Sequence, residues 1–203
     1  MRLYMIRHGE TEWNVKKRFQ GQSDIPLNNE GRKIARITAE ALADVPFTRV
    51  YTSPLKRAYE TAIIMRGTRD IPVIEDARIM EIGFGVYEGA CFSEEDYGVS
   101  GTEFLKFFNE PEAYVPPKGA ESIEKLQKRT GDFLDEITHN KDIEHETILI
   151  STHGAALRGL LSNIHHIAIK DFWRGGVHRN CAVTIIDIVD GKIFTIEEGK
   201  TFY

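Results

Sequence analysis

The chain has 203 residues, 41% hydrophobic and 28% charged, a balance that excludes disordered, collagen-like and coiled-coil classes and allows a substantial core. Its formal net charge is −5, from 26 basic and 31 acidic residues, which argues against a general nucleic-acid binder or a membrane-surface protein. The opening residues hold no apolar stretch long enough for a signal peptide, and no apolar run reaches the roughly 18 residues of a membrane span, so a soluble cytoplasmic protein is expected.

In chain order, residues 3–6 read as a strand. Over 28–44, Ile34, Ile37, Ala41 and Leu42 recur at helical spacing behind Asn28 as a cap, with Glu30 in the first turn. Residues 50–52 read as a strand ending at Ser53-Pro54, a pair suited to cap and start a helix. A short strand is expected at 71–74 and an amphipathic helix over 121–137, on the stripe Ile123, Leu126, Phe133, Leu134 and Ile137. The apolar run 148–150 reads as a buried strand, followed by Ser-Thr-His-Gly and a helix to about 164. Residues 182–189 and 192–196 flank Asp190-Gly191, a two-residue hairpin signal. Strand–helix alternation closing on an antiparallel pair predicts a three-layer α/β/α sandwich: a mostly parallel central sheet with an antiparallel edge strand. No repeat or linker interrupts 1–203, so a single domain is expected, with a variable cap at about 84–120.

Three predicted strands end in chemistry-bearing residues: Arg7-His8-Gly9 after the first, Ser53 and then Arg57 after the second, and Thr152-His153-Gly154 after the run at 148–150. Ligands of open α/β sheets bind outside the carboxyl ends of strands, so the fold delivers two histidines and two arginines to one edge. Two guanidinium forks match phosphate oxygens, and the glycines allow backbone N–H groups to approach an anion. A neutral imidazole in such a pocket can attack phosphorus, while the second histidine stabilises the transferring oxygens. No metal or other cofactor is required.

The motifs Arg7-His8-Gly9-Glu10-Thr11, Arg18-Phe19-Gln20-Gly21, Ser53-Pro54-Leu55-Lys56-Arg57-Ala58, Glu81-Ile82-Gly83-Phe84-Gly85 and Ser151-Thr152-His153-Gly154 resemble those of the histidine phosphatase superfamily, the phosphoglycerate-mutase-like proteins. The resemblance runs from residue 2 to about 190 and is weakest between 90 and 120. It implies that His8 is the phosphorylated nucleophile and that Arg7, Arg57 and His153 complete the phosphate pocket. Asn14, Gln20, Gly21 and Gly154 would be further substrate contacts, and Glu81 the proton donor and then the base. Two positions depart from the family pattern: Tyr87, where Trp is frequent, and Ala155, where Gly is frequent.

Other features carry less. Cys91 and Cys181 have no metal or redox spacing and suit reduced packing thiols. His165-His166, as neighbours on a helix, would point about 100° apart. His139, His145 and His178 lack partners at ligand spacing, so no metal site is expected. Lys16-Lys17-Arg18 is a solvated run that adds positive potential near the pocket.

Hydrolysis of a small-molecule phosphate monoester, phosphoglycerate-mutase isomerisation and non-catalytic phospholigand binding are the competing functions. Every catalytic position is filled, which disfavours the last. The stretch after Glu81 separates the first two, because the resembling mutases carry an insertion rich in Lys and Arg there. Here residues 84–114 hold Glu88, Glu94, Glu95, Asp96, Glu103, Glu110 and Glu112 against Lys106 alone, together with eight of the 20 aromatics. Such a segment repels a substrate bearing several anionic groups, so a monophosphate with a neutral, aromatic or partly cationic leaving group is expected.

Overall fold

The computed structural model describes residues 1–91 and 101–203, the side chains of 101–103 excepted. Its elements are β1 (Arg2–Arg7), α1 (Glu12–Val15), α2 (Asn29–Ala41), β2 (Arg49–Thr52), α3 (Lys56–Arg66), β3 (Val73–Glu75), α4 (Gly101–Asn109), α5 (Ile123–His139), β4 (Thr147–Thr152), α6 (Gly154–Ile164), β5 (Val183–Val189) and β6 (Lys192–Lys200). The strands form one six-stranded sheet in the order β3-β2-β4-β1-β5-β6. The first four in that order are parallel, β5 is antiparallel to β1, and β6 is antiparallel to β5.

Period-two alternation sends neighbouring side chains of β1 to opposite faces. Leu3 and Met5 pack with Ile148 and Ile150 of β4 against Phe133 and Ile137 of α5 and Leu157 and Leu160 of α6. Tyr4 and Ile6 pack with Val50 and Leu149 against Ile34 and Ala35 of α2 and Ala62 and Met65 of α3. Helices therefore cover both faces, the expected three layers. A third cluster ties Phe104 and Phe107 of α4 to Phe19, Ile82, Phe84 and Phe172. The described aromatics of the 84–120 segment thus belong to a small separate core, with the Phe104 ring 4.6 Å from Phe19 and the Phe107 ring 5.0 Å from Trp173.

Local signals account for most boundaries. Asn28 caps α2 by accepting the Gly31 N–H at 2.7 Å, and Asp190 and Gly191 take the φ of +50° and +72° that a tight hairpin between twisted strands needs. Ser53-Pro54 behaves differently from expectation. Helix α3 starts at Lys56 with Leu55 at the N-cap and no side-chain cap, and the Ser53 hydroxyl is committed elsewhere. β3 begins at Val73 rather than at 71. Pro72 has no N–H for the ladder, although its carbonyl accepts from Val50. Helix α6 stops at Ile164, so the pair His165-His166 lies beyond it rather than on it, His166 with φ +54°.

Candidate active site

Register brings the three motif-bearing strand ends together. Arg7 pairs with Thr152 across β1 and β4, and Thr52 pairs with Ser151 across β2 and β4. His8, Ser53 and His153 each follow one of these ends, and a cavity of about 610 Å³ opens there. Arg7, His8, Asn14, Gln20, Arg57 and Glu81 line its floor, along with Gly21 and Gly154.

His8 is buried, and its Nδ1 lies 2.7 Å from the Gly9 carbonyl. A carbonyl only accepts, so the ring proton is on Nδ1 and Nε2 keeps its lone pair. Burial first, then the positive charges of Arg57 and Arg7, hold the His8 imidazole well below its ordinary value of 6.5. Arg7 donates through Nη1 to the His178 carbonyl, while its buried Nε has no partner among the described residues. Arg57 is fully buried; its Nη1 and Nη2 donate to the carbonyls of Ser23 (2.8 Å) and Gly21 (2.7 Å), leaving one N–H on each for a ligand. Burial lowers its guanidinium to about 10, so it stays charged at neutral pH.

His153 contacts the pocket through Arg57. Its Nδ1 accepts from Arg57 Nε at 3.1 Å, its Nε2 lies 2.7 Å from Ser53 Oγ, and its ring centroid is 5.2 Å from that of His8. Its imidazole is also held well below 6.5, by burial first and then by Arg57.

Glu81 sits at the N-terminus of α6. Its Oε1 accepts the N–H groups of Ile82 and Ala156, each at 3.0 Å, and its Oε2 accepts that of Ala155 at 3.2 Å. The helix N-terminus therefore holds a carboxylate of the protein itself. Gly154 leaves room beside it: a Cβ there would lie 3.6 Å from Glu81 Oε2, 3.7 Å from Arg7 Nε and 3.0 Å from Val177 Cγ1. Gly9 serves a purpose other than the expected anion contact. Its N–H donates to Thr61 Oγ1, and an added Cβ would meet the Gly31 carbonyl at 2.7 Å, so this glycine lets α2 pack on the loop.

Asn14 and Gln20 are oriented by Thr11, which caps α1. Asn14 Oδ1 accepts the Thr11 N–H, and Thr11 Oγ1 lies 3.0 Å from both Asn14 Oδ1 and Gln20 Oε1. With each amide oxygen so engaged, the NH₂ groups remain for a ligand. Gly21, at φ +51°, has no room for a Cβ, which would fall 2.2 Å from Glu88 Oε1.

Three supporting residues escaped the sequence reading. Arg129 binds Glu121 through both carboxylate oxygens and donates to the carbonyls of Arg78, Met80 and Glu81, clamping the loop that carries Glu81. It lies three residues after Leu126 and four before Phe133, and a cation at that stripe spacing is the signal. Asn180 donates to the His8 carbonyl at 2.9 Å. Trp173 donates its indole N–H to the Phe107 carbonyl, joining α4 to the cavity rim. Of the basic run, Arg18 lines the cavity and donates to the Gly89 carbonyl at 2.6 Å, whereas Lys16 and Lys17 are exposed. Among the described residues no group of three or more His, Cys, Asp and Glu could hold a metal ion, and no helix is long and apolar enough to cross a membrane.

His8 and His153, together with His178, which burial also holds below 6.5, make stability pH-dependent. Below 6.5 the unfolded chain protonates all three while the folded chain resists, so the unfolded state binds more protons and stability falls as pH falls. The slope approaches about 1.4 kcal/mol per pH unit for each proton. Urea unfolding at pH 7 and pH 5 is expected to show a clear drop in stability. This window lies above the one in which Glu146 and Asp187, held low by hydrogen bonds from Arg49 and Arg2, lose their ion pairs. Stability unchanged between pH 7 and 5 would contradict the neutral assignment.

The chain is similar to known proteins over nearly its whole length. Residues 3–198 match the family model of the histidine phosphatase superfamily (branch 1). Phosphoserine phosphatase 1 of Hydrogenobacter thermophilus is 31% identical over 194 residues, covering 95% of this chain and 89% of its own. The metal-independent phosphoserine phosphatase of Arabidopsis thaliana is 32% identical over 192 residues, covering 94% and 77%. Proteins named as phosphoglycerate mutases match at similar identity. Among solved structures, Bacillus stearothermophilus YhfR superposes with a TM-score of 0.91 at 34% identity, covering 98% of this chain and 97% of that one. The chain belongs to the histidine phosphatase superfamily, branch 1, and is a phosphatase acting on phosphate monoesters.

Proposed function

We propose that this protein hydrolyses small-molecule phosphate monoesters in two steps through a phosphohistidine on His8, without a metal or other cofactor. One observation carries the reading: a neutral imidazole whose Nε2 lone pair is free, beside the fully buried guanidinium of Arg57 and the half-buried side chain of Arg7. In the first step Nε2 attacks phosphorus and the P–O bond to the alcohol breaks, while Glu81 gives the departing oxygen its proton. In the second, Glu81 takes a proton from water, whose oxygen attacks phosphorus, breaks the P–N bond and returns His8. Arg7 and Arg57 neutralise the phosphoryl oxygens, and the amide N–H groups of Asn14 and Gln20 add donors.

The apolar upper wall of the cavity supports a leaving-group preference. Leu105, Phe108, Trp173 and Val177 line it. The three described acidic side chains of residues 84–114 do not face the cavity. Glu94, Glu95 and Asp96 lie outside the described residues, as does the Glu103 side chain. Glu88 turns inward to accept from Ser23 Oγ and the N–H groups of Gln22 and Phe84, and neither Glu110 nor Glu112 lines the cavity. Among the described residues, apolar contact is what supports aromatic or nucleoside-like monophosphates over sugar bisphosphates. A mutase needs cations for a second anionic group, and among the described residues Arg18 is the one cation lining the cavity beyond Arg7 and Arg57.

On this reading residues 1–203 are one domain, with 84–120 as its specificity cap. The free thiols of Cys91 and Cys181 suit a cytoplasmic location. The test is phosphate release from a substrate panel with and without 2,3-bisphosphoglycerate. Aryl monophosphates should be turned over faster than sugar bisphosphates and independently of the additive. A bisphosphate turned over tenfold faster, or turnover that requires the additive, would overturn the proposal.

A further inference from the structure

Ser53 has no assigned part in the chemistry, yet its side chain is fully buried beside it. Its Oγ lies 2.7 Å from His153 Nε2 and accepts the Leu55 N–H at 3.3 Å. On the other edge of the same imidazole, Nδ1 lies 3.1 Å from Arg57 Nε. A guanidinium nitrogen can only donate, so Nδ1 must be bare. A neutral ring with a bare Nδ1 carries its proton on Nε2, where Ser53 Oγ is the acceptor. His153 is then the opposite tautomer to His8, whose Nδ1 carries the proton. An imidazolium at 153 would set one donor against another at Arg57.

We propose that Ser53 is a positioning residue: by accepting the Nε2 proton of His153 it keeps Nδ1 as the acceptor that docks Arg57 Nε, and so aims the Arg57 fork into the pocket. The geometry leaves Arg57 three anchors: His153 Nδ1 for Nε, the Ser23 carbonyl for Nη1 and the Gly21 carbonyl for Nη2. The last two stand on the loop after α1, whereas the first depends on a ring that could otherwise turn or change tautomer. Removing the hydroxyl leaves a buried N–H without its acceptor. The ring then loses the contact that fixes its orientation and its Nε2 proton, and either a turn of the ring or a shift of the proton to Nδ1 takes the acceptor away from Arg57 Nε. Ser53 thus acts on the phosphate site through two other side chains. This inference rests on the proposed function only for Arg57's role as a phosphate ligand.

Two measurements test it. In long-range ¹H–¹⁵N spectra of the intact protein, His153 should show a protonated Nε2 and bare Nδ1, and His8 the reverse. In Ser53→Ala the His153 pattern should shift toward a protonated Nδ1. The KM and the inhibition constant of inorganic phosphate should rise together by about tenfold, with kcat changing less, and Ser53→Thr, which keeps the hydroxyl, should restore all three. A protonated Nδ1 on His153 in the parent protein would overturn the proposal. So would a Ser53→Ala variant with unchanged phosphate inhibition and an unchanged His153 pattern. Should Ser53→Ala fail to fold, the parent spectrum decides alone. The tautomers are read without turnover, so a missing phosphohistidine on His8 and a wrong tautomer on His153 are separate failures.

Discussion

Replacing His8 with alanine is expected to abolish turnover, by about 10⁴-fold or more, as removal of a covalent nucleophile does in other enzymes. Among the described residues nothing in the pocket can replace it. His153, the other imidazole of the pocket, has both ring nitrogens committed, one to Arg57 and one to Ser53. Direct attack by water would have to occur without a covalent intermediate in a site shaped for one. The His8→Ala variant should retain substrate binding, because the guanidinium groups and amides proposed to hold the phosphoryl group come from other positions. Its backbone should also hold, since the His8 N–H donates to the Thr152 carbonyl and its carbonyl accepts from Asn180, neither of which involves the ring. Brief incubation of the parent protein with a phosphoryl donor should yield acid-labile phosphate on residue 8, and the variant should yield none. A variant that keeps its fold and turns over at the parent rate would sink the mechanism.

The fold was legible because its signals are local. Each β1 residue from 3 to 6 is apolar because both faces of the sheet are covered, and the α5 stripe repeats at the period of the helix. Where elements extend past expectation, the sequence lacks the pattern. β6 continues through Glu197-Glu198-Gly199-Lys200, a polar run without alternation, because β5 keeps pairing with it out to Val183 and Lys200 across irregular register. The site was legible to the extent that its residues follow strand ends. His8, Arg57 and His153 could be brought together by topology alone, whereas the identity of each side chain's partner could not. Ser53 and His153 are 100 positions apart, and Asn180 and His8 are 172 apart. No periodicity records such contacts. The Ser-Pro pair therefore has the local signature of a helix start, while its hydroxyl serves a distant imidazole. The glycine after His8 likewise suggests an anion contact, while its missing side chain makes room for α2.

Glu81 carries the second large effect, and its size should depend on the leaving group. An alkoxide leaves poorly, so for an alkyl monophosphate the Glu81→Gln variant should lose about 10²–10⁴-fold in kcat/KM, the range of general acid catalysis. An aryl phosphate such as p-nitrophenyl phosphate expels a stable phenolate that needs little protonation, so its kcat/KM should fall far less. Water activation is needed for both substrates, so the second step slows whichever is used. The variant should then release a burst of nitrophenol equal to the enzyme present, and phosphohistidine should accumulate on His8. Glutamine is the stringent substitution because the site offers only donors to this side chain. Oε1 receives two N–H groups and Oε2 one. The amide oxygen will therefore take the Oε1 position and the NH₂ will face Ala155 N–H, donor against donor. Glu81→Ala removes that conflict and leaves the N–H groups of Ala155 and Ala156 open to water, so the two variants should agree in leaving-group dependence even if they differ in stability. Equal losses on alkyl and aryl substrates, without a burst, would show that Glu81 only shapes the pocket and transfers no proton.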